Sequence, residues 1–274
     1  AGSSGVRWRG RIQTENVSID VSDAGDGFNL VGNPYPAFLH LNDAADATNN
    51  ILRVNGANGA NVLDEDTIWL WDAANGVFVT RNLSDAGAVR VNPMQGFFVK
   101  ARNGGGATQS FSFTEDMQSH TGTGAFLKST EGRFEVNLSV ASGKLNRSTS
   151  VRYIDNTTTD FDNGYDSSTF GGAGSASFQV YTELVQNNTG KSLAIQSLPS
   201  SDFENMVVPV GVKATGETEV TFSANALNVP NGYNVYLEDR ENGTFTQLDI
   251  VNAEYNTTVS GDTQGRFFLH TKSA

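Results

Sequence analysis

Cysteine is absent from this chain of 274 residues, so it can form no disulfide and offers no thiolate as nucleophile or metal ligand. Secreted eukaryotic proteins of this kind often carry disulfides. The absence therefore favours a bacterial or an intracellular origin. No signal peptide is visible at the start of the sequence, and we expect the chain to be a fragment of a longer protein with upstream domains.

Basic residues are few, because 18 Lys and Arg stand against 30 Asp and Glu and give a net charge of −12 at pH 7. Nucleic-acid phosphates and anionic membranes both require clusters of Lys and Arg. Apolar runs are also short, and none approaches the roughly 18 residues of a transmembrane helix. We therefore expect no nucleic-acid partner and no membrane insertion.

Motifs of catalysis are missing as well. The three histidines, His40, His120 and His270, are scattered, and neither a Gly-x-Ser-x-Gly elbow nor a His-x-x-x-His zinc pair occurs. A glycosidase needs only two carboxylates, so hydrolysis of a glycan stays open as an alternative. We expect no catalytic residues, and we expect the strand arginines Arg133, Arg152 and Arg266 to pair with acidic loops.

Glycine and asparagine are abundant, with 29 glycines in the chain. Asn-Gly occurs seven times, starting at residues 55, 58, 75, 103, 163, 231 and 242. This dipeptide favours tight hairpin turns in which both central residues have positive φ. Long helical periodicity is lacking, and the sequence therefore predicts an all-β protein of short strands.

Alternating apolar residues mark the strands. Phe134, Val136, Leu138 and Val140 predict a half-buried strand, and residues 67–72 place Trp69 and Trp71 on one face. We predict two packed β-sandwich units of jelly-roll or immunoglobulin-like type. They comprise residues 1–120, with the Gly-Asn-Pro-Tyr-Pro and Gln-Gly-Phe-Phe-Val-Lys motifs, and residues 121–274.

One turn sequence occurs twice. Asp72-x-x-Asn75-Gly76-x-Phe78 is repeated as Asp239-x-x-Asn242-Gly243-x-Phe245. In both, the Asp carboxylate is placed to accept hydrogen bonds from the turn amides while the glycine supplies positive φ. The repeat predicts two similar hairpins.

Acidic residues cluster in one loop. The predicted calcium ligands are Asp155, Asp160, Asp162, Asn163 and Asp166. Calcium takes six to eight oxygen ligands, which closely spaced carboxylates and backbone carbonyls supply, although the spacing is not that of an EF-hand. The alternative is a loop of Asx turns with solvated carboxylates. Residues 64–66 (Asp-Glu-Asp) form a second acidic cluster.

Aromatic residues offer a different ligand chemistry. The predicted glycan-binding residues are Trp8, Tyr35, Trp69, Trp71 and Tyr165. Their rings would stack on sugar rings while Asn and Asp side chains bond hydroxyls. The alternative for each is packing in the core. A pair of exposed, coplanar aromatics on one sheet face would distinguish the two.

A family resemblance rests on several short motifs. They are Gly-Phe-Asn-Leu-Val-Gly-Asn-Pro-Tyr-Pro (27–36), Ile-Trp-Leu-Trp-Asp (68–72), Gln-Gly-Phe-Phe-Val-Lys (95–100), Phe-Asp-Asn-Gly-Tyr-Asp (161–166), Val-Val-Pro-Val-Gly (207–211) and Arg-Phe-Phe-Leu-His (266–270). Together they resemble the C-terminal β-sandwich region that precedes the sorting domain in Bacteroidetes proteins secreted by the type nine system. The resemblance covers roughly residues 27–270 and implies a secreted or outer-surface location.

The function that follows is a non-catalytic accessory or adhesion module of a secreted or cell-surface protein. The first alternative is a carbohydrate-binding module of a polysaccharide-degrading enzyme, and the second is a glycan-active enzyme. A polysaccharide or surface glycan is the expected external partner, and the upstream domains of the same chain are the internal one.

Overall fold

The computed structural model describes residues 11–104, 106–121, 132–173 and 176–273. The protein is all-β, as the sequence predicts, because strands dominate and the α-helix and 3₁₀ helices are short. Within the described ranges, no helix has the length and apolar character that crossing a bilayer requires. The part up to residue 121 is called the N-terminal half below, and the part from residue 132 the C-terminal half.

The N-terminal half is built from short strands and one helix. They are β1 (Val17–Ser22), β2 (Phe28–Gly32), β3 (Phe38–His40), α1 (Ile51–Asn55), β4 (Thr67–Asp72), β5 (Val77–Asn82), β6 (Arg90–Val91), β7 (Gly96–Lys100), β8 (Thr108–Phe113), a 3₁₀ helix (Glu115–Met117) and β9 (Gln118–Ser119).

These strands form three sheets among the residues described. β1 pairs with β8, β6-β3-β9 form a three-stranded sheet, and β2-β7-β4-β5 form a four-stranded sheet with β5 at its edge. In the β4–β5 hairpin Trp71 lies opposite Phe78, and Trp69 lies opposite both Thr80 and Phe98. These aromatic side chains therefore share one sheet face.

The C-terminal half contains longer strands. They are β10 (Glu135–Ser142), β11 (Leu145–Tyr153), β12 (Ser167–Ser168), β13 (Gln179–Thr182), β14 (Leu193–Leu198), a 3₁₀ helix (Phe203–Asn205), β15 (Val208–Leu227), β16 (Tyr233–Asp239), β17 (Thr244–Gln247), β18 (Tyr255–Asp262) and β19 (Phe267–Ser273).

The strand β15 organises this half. Its first part pairs with β13 and β19, and its second part pairs with β10 and β18. Because β10, β11, β14 and β13 are themselves joined in that order, the pairings of β15 close a ring of strands. The C-terminal half is therefore not the plain two-layer sandwich that the sequence predicts. Residues 205–212 and 217–223 read as two separate strands in the sequence, whereas the structure has the single strand β15 across both.

Two separate hydrophobic cores lie in the two halves. One is drawn from residues between Val21 and Met117, and the other from residues between Phe134 and Leu269. The alternating residues Val136, Leu138 and Val140 are fully buried in the second core. Division of the chain at residues 120/121 stays a prediction.

Local turn chemistry differs from the sequence-based expectation. Among the described residues no Asn-Gly pair has positive φ at both positions, since Gly76 and Gly243 have it but Asn75 and Asn242 do not. Each of the two hairpins with the repeated turn sequence instead has a four-residue loop that ends on glycine. The Asp side chain occupies the amide-bonding position that the repeat predicts, because Asp72 Oδ1 accepts from the amide of Ala74 at 2.9 Å.

The short helix is capped by an asparagine side chain. Asn50 precedes α1, and its Oδ1 accepts from the Arg53 amide at 2.8 Å. Gly56 follows the last helical residue, and a Cβ at this position would lie 2.4 Å from the Leu52 carbonyl oxygen. A larger residue therefore has no room at this position.

Candidate functional site

An aromatic face of the four-stranded sheet meets the C-terminal half. Phe170 inserts against this face, with its ring centroid 4.9 Å from Phe28, 4.9 Å from Phe98 and 3.9 Å from Phe78. Trp69 lies beneath, fully buried, and its indole N–H donates to the Ser168 carbonyl at 3.0 Å. These contacts join the two halves through packed rings.

Trp71 lies at the rim of the same face. Its side chain is 52% exposed, and its ring centroid is 5.0 Å from that of Phe78. β4 places Trp69 and Trp71 on one side, but Phe170 covers the first and leaves the second open. The strand pattern predicts the shared face. The residue that covers Trp69 is Phe170, 101 positions later in the chain, so no local pattern predicts which tryptophan is covered.

A cleft begins at Trp71 and runs between the edge strand β5 and the face of β10 and β11. Its first part, the aromatic end, has a volume of about 290 Å³ and is lined by Trp71, Phe78, Phe170 and Gln179 among others. Its second part, the basic end, has a volume of about 370 Å³. Phe78 and Arg147 line both parts, so the two parts adjoin along the cleft.

The basic end contains four arginines and two carboxylates. They are Arg81, Arg133, Arg147, Arg152, Asp85 and Glu135. Arg152 pairs with Asp85 at 2.7 Å, and Arg133 pairs with Glu135 at 3.2 Å. Arg133 also donates to the Ser84 carbonyl at 3.0 Å. Both carboxylates of the basic end are therefore held by arginines.

Burial and the neighbouring Arg152 guanidinium lower the pKa of Arg133. The pairing of Arg152 with an acidic residue is confirmed, as is that of Arg266, which bonds Asp239 at 2.8 Å. Sequence reasoning missed Arg147, which follows Asn146 near the start of β11 and has no motif around it. The one feature that could have indicated Arg147 is its position on the same strand as Arg152.

The predicted glycan-binding residues are dispersed. Tyr35 is fully buried, and its hydroxyl donates to the carbonyls of Glu15 and Phe113 at 2.9 and 3.0 Å, so it offers no ring to a sugar. Trp69 is excluded for the same reason. The prediction is wrong for these two residues, because each is enclosed by the core or by the junction of the halves.

Two of the remaining predicted aromatics are accessible. Trp71 lines the cleft, and Tyr165 is 38% exposed but lines neither end of it. Trp8 lies outside the described residues. The structure therefore leaves Trp71 as the residue of the predicted set that faces the cleft.

The predicted calcium ligands do not converge on one point. Asp162 accepts hydrogen bonds from Thr158, Asp166 accepts from the amides of Asp162 and Ser197 at 2.7 and 2.6 Å, and Asn163 Oδ1 accepts from the Asp66 amide at 2.7 Å.

The other two predicted ligands bond elsewhere, since Asp155 accepts from Ser200 and Asp160 accepts from Asn187. In the part of the chain that is described, no group of three or more His, Asp or Glu residues is arranged to hold a metal. Calcium in this loop stays a prediction.

The second acidic cluster contributes to the junction between the two halves. Glu65 is fully buried and accepts from the Ser168 amide at 2.8 Å and from the Lys191 ammonium at 2.8 Å. Asp166 is also fully buried, and burial raises its pKa to about 7, but its partners Asp162 and Ser197 lie in the C-terminal half. Glu65, from the cluster 64–66, therefore links the halves, whereas Asp166 is bonded within its own half.

Comparison with curated proteins found no match, and comparison with solved structures found none. A family model does match, and it covers residues 5–270. That span includes both halves and the whole cleft. The chain therefore belongs to the family described as "Domain of unknown function (DUF8693)".

Proposed function

We propose that this chain is a non-catalytic adhesion module of a secreted or cell-surface protein, and that it attaches by binding a glycan in the cleft. The observation that carries the proposal is the half-exposed Trp71 at the end of a groove between two β units. Groove-shaped sites with an aromatic ring and several polar side chains suit sugar rings, which have an apolar face and hydroxyl edges.

The polar lining supports the same ligand class. Gln179, Ser148, Asn146 and Asn137 line the groove and offer amide and hydroxyl groups to sugar hydroxyls. Asp85 and Glu135 are engaged by arginines, so we expect binding without hydrolysis.

The wider setting belongs to this proposal too. The motif resemblance supports a type nine secretion context in which upstream domains are presented at the cell surface. The two separate cores support two units, residues 1–120 and 121–274, with the cleft between them. An adhesion module and a carbohydrate-binding module of an enzyme would both use this cleft. The two alternatives differ only in the upstream domain to which the chain is joined.

A glycan array tests the proposal. The wild-type chain is compared with Trp71→Ala and with Phe245→Ala, a matched control because Phe245 is 53% exposed on the second Asp-x-x-Asn-Gly hairpin and does not line the cleft. We expect binding to at least one polysaccharide class, loss of that binding in Trp71→Ala and retention in Phe245→Ala. No binding by the wild type, or equal loss in both variants, contradicts the proposal.

A further inference from the structure

We propose that the basic end of the cleft recognises carboxylate groups, so that the bound glycan is a polyuronate. This inference rests on the proposed function, because it names the ligand class of the same groove. Two observations carry it: an excess of guanidinium groups over carboxylates, and buried donor nitrogens without a hydrogen-bond acceptor among the described residues.

The first observation concerns charge. The whole chain is strongly acidic at −12, yet the basic end has four arginines and two carboxylates. The Arg147 guanidinium donates to the carbonyl of the adjacent Asn146 at 2.9 Å. Within the described ranges no ion pair joins Arg147 to a carboxylate, although it lines both ends of the cleft. Its guanidinium is placed to pair with a ligand carboxylate.

The second observation concerns hydrogen bonding. Asn137 Nδ2 and Arg147 Nε are buried and have no hydrogen-bond partner among the described residues, and both residues line the basic end. Arg152 Nε is also buried without a hydrogen bond, but it lies 3.7 Å from Glu135 Oε2 in an ion pair. Arg152 is only 5% exposed. Buried donors without an acceptor are rare and costly in proteins. Two such donors on one wall, at Asn137 and Arg147, indicate a surface that is completed by a ligand rich in acceptors.

The orientation of Asn137 is set by the protein. Its Oδ1 accepts from the Ser150 hydroxyl at 2.6 Å, which leaves the amide Nδ2 as the group without a partner. Burial and the Arg152 charge lower the pKa of Arg133. This direction agrees with a cluster in which the carboxylates do not fully balance the positive charge of the arginines. A carboxylate in the groove would supply both the negative charge and the acceptors.

The aromatic end selects among anionic ligands. Next to the basic end, the side chains of Trp71 and Phe78 offer aromatic surface on which a sugar ring can stack. Binding of an acidic peptide does not require such a surface. A uronate residue combines an apolar sugar face with a carboxylate. The groove therefore fits a polyuronate better than an acidic peptide, and the peptide becomes one outcome of the test.

The test uses the full chain and measures affinity by calorimetry. The ligands are a polyuronate, the same polymer with its carboxyls methyl-esterified, and poly-glutamate. We expect the polyuronate to bind at least tenfold more tightly than the ester, since a charge-assisted hydrogen bond is lost on esterification. We also expect the affinity to fall as salt is added.

Two variants locate the carboxylate site. Asn137→Asp keeps the acceptor for Ser150 and replaces the free donor with a negative charge, and Arg147→Gln removes the guanidinium that has no carboxylate partner. Each is expected to lower polyuronate affinity at least tenfold. Arg102→Gln is the control, because it removes the same charge from an exposed position outside the cleft.

The outcomes separate the two proposals. Equal binding of polyuronate and ester, or unchanged affinity in both cleft variants, overturns the carboxylate inference and leaves glycan binding standing. Equal binding of poly-glutamate and polyuronate overturns the polyuronate assignment. Failure to bind any glycan, here and on the array, overturns the proposed function itself.

Discussion

Replacing Asp239 with Asn is expected to destabilise the protein far more than the same change at Asp72, although both residues begin the same turn sequence. In both turns the Asp accepts the same three hydrogen bonds, from two backbone amides and from the Asn side chain. The difference between the two variants therefore isolates what surrounds Asp239.

The surroundings of Asp239 supply the magnitude. It is fully buried, and it accepts from Arg266 at 3.0 and 2.8 Å and from the Tyr255 hydroxyl at 2.8 Å. Removing one partner of a buried ion pair costs about 3–5 kcal/mol. Arg266 keeps its pair with Glu241 at 2.6 Å, so we expect a loss of about 3 kcal/mol for Asp239→Asn, at the lower end of that range.

The pH dependence has a definite sign. Burial raises the pKa of Asp239, but the hydrogen bonds from Arg266 and Tyr255 outweigh it and lower the pKa to about 2. The unfolded state therefore binds the proton first as the pH falls. The stabilisation by Asp239 is present above about pH 4 and is lost toward pH 2, whereas Asp239→Asn lacks this dependence.

The assay is urea denaturation of the full chain, followed with a separate probe for each half. Trp69 and Trp71 lie in β4, so their fluorescence reports on the N-terminal half and on its junction with Phe170. Hydrogen exchange of residues 233–273 reports on the hairpin and strands around Asp239. Equal losses in the Asp72→Asn and Asp239→Asn variants, or an unchanged acid dependence in Asp239→Asn, would refute the reasoning.

Three further results are expected. Because burial raises the pKa of Asp166 to about 7, wild-type stability should fall as the pH rises from about 4 to 7, by up to about 4 kcal/mol, and Asp166→Asn should flatten this slope in urea titrations at several pH values. Phe170→Ala removes the ring packed on Phe28 and Phe78 and should cost about 3 kcal/mol and increase tryptophan exposure in quenching assays; unchanged quenching would contradict the packing. The calcium prediction expects added calcium to raise the melting temperature and Asp162→Asn to remove the increase, and a midpoint insensitive to both calcium and chelator would count against it.

The strands were predictable because their signals are local. Alternation over Phe134 to Val140, and the aromatic run 67–72, define strands that β10 and β4 confirm. The repeated Asp-x-x-Asn-Gly turn also has its predicted carboxylate-to-amide bonds. These features depend on residues within a few positions of one another, so periodicity and turn chemistry suffice.

The positions of these elements relative to one another could not be predicted from the sequence. Trp69 and Trp71 carry the same local signal, yet Phe170 covers one and not the other. The ring closed by β15 depends on one strand that pairs with different partners at its two ends, which no alternation pattern reveals. The cleft likewise combines β5 with β10 and β11, which are distant in sequence.

The role of the acidic clusters also could not be predicted from local sequence alone. Closely spaced carboxylates predict either cation binding or hydrogen-bonded turns, and the choice depends on which donors the fold brings near. For Asp166 these donors are the amides of Asp162 and Ser197, the second of them on a strand 31 residues away.

Shielding of Trp71 by a bound glycan tests the central claim most directly. In a Trp8→Phe variant the remaining tryptophans are Trp69, which is buried, and Trp71, which is half exposed, so acrylamide quenching reports on Trp71. With a saturating oligosaccharide from the glycan array, we predict that quenching falls to the level of a buried tryptophan. Quenching that stays unchanged while the glycan is bound would place the glycan elsewhere and contradict the assignment of the cleft.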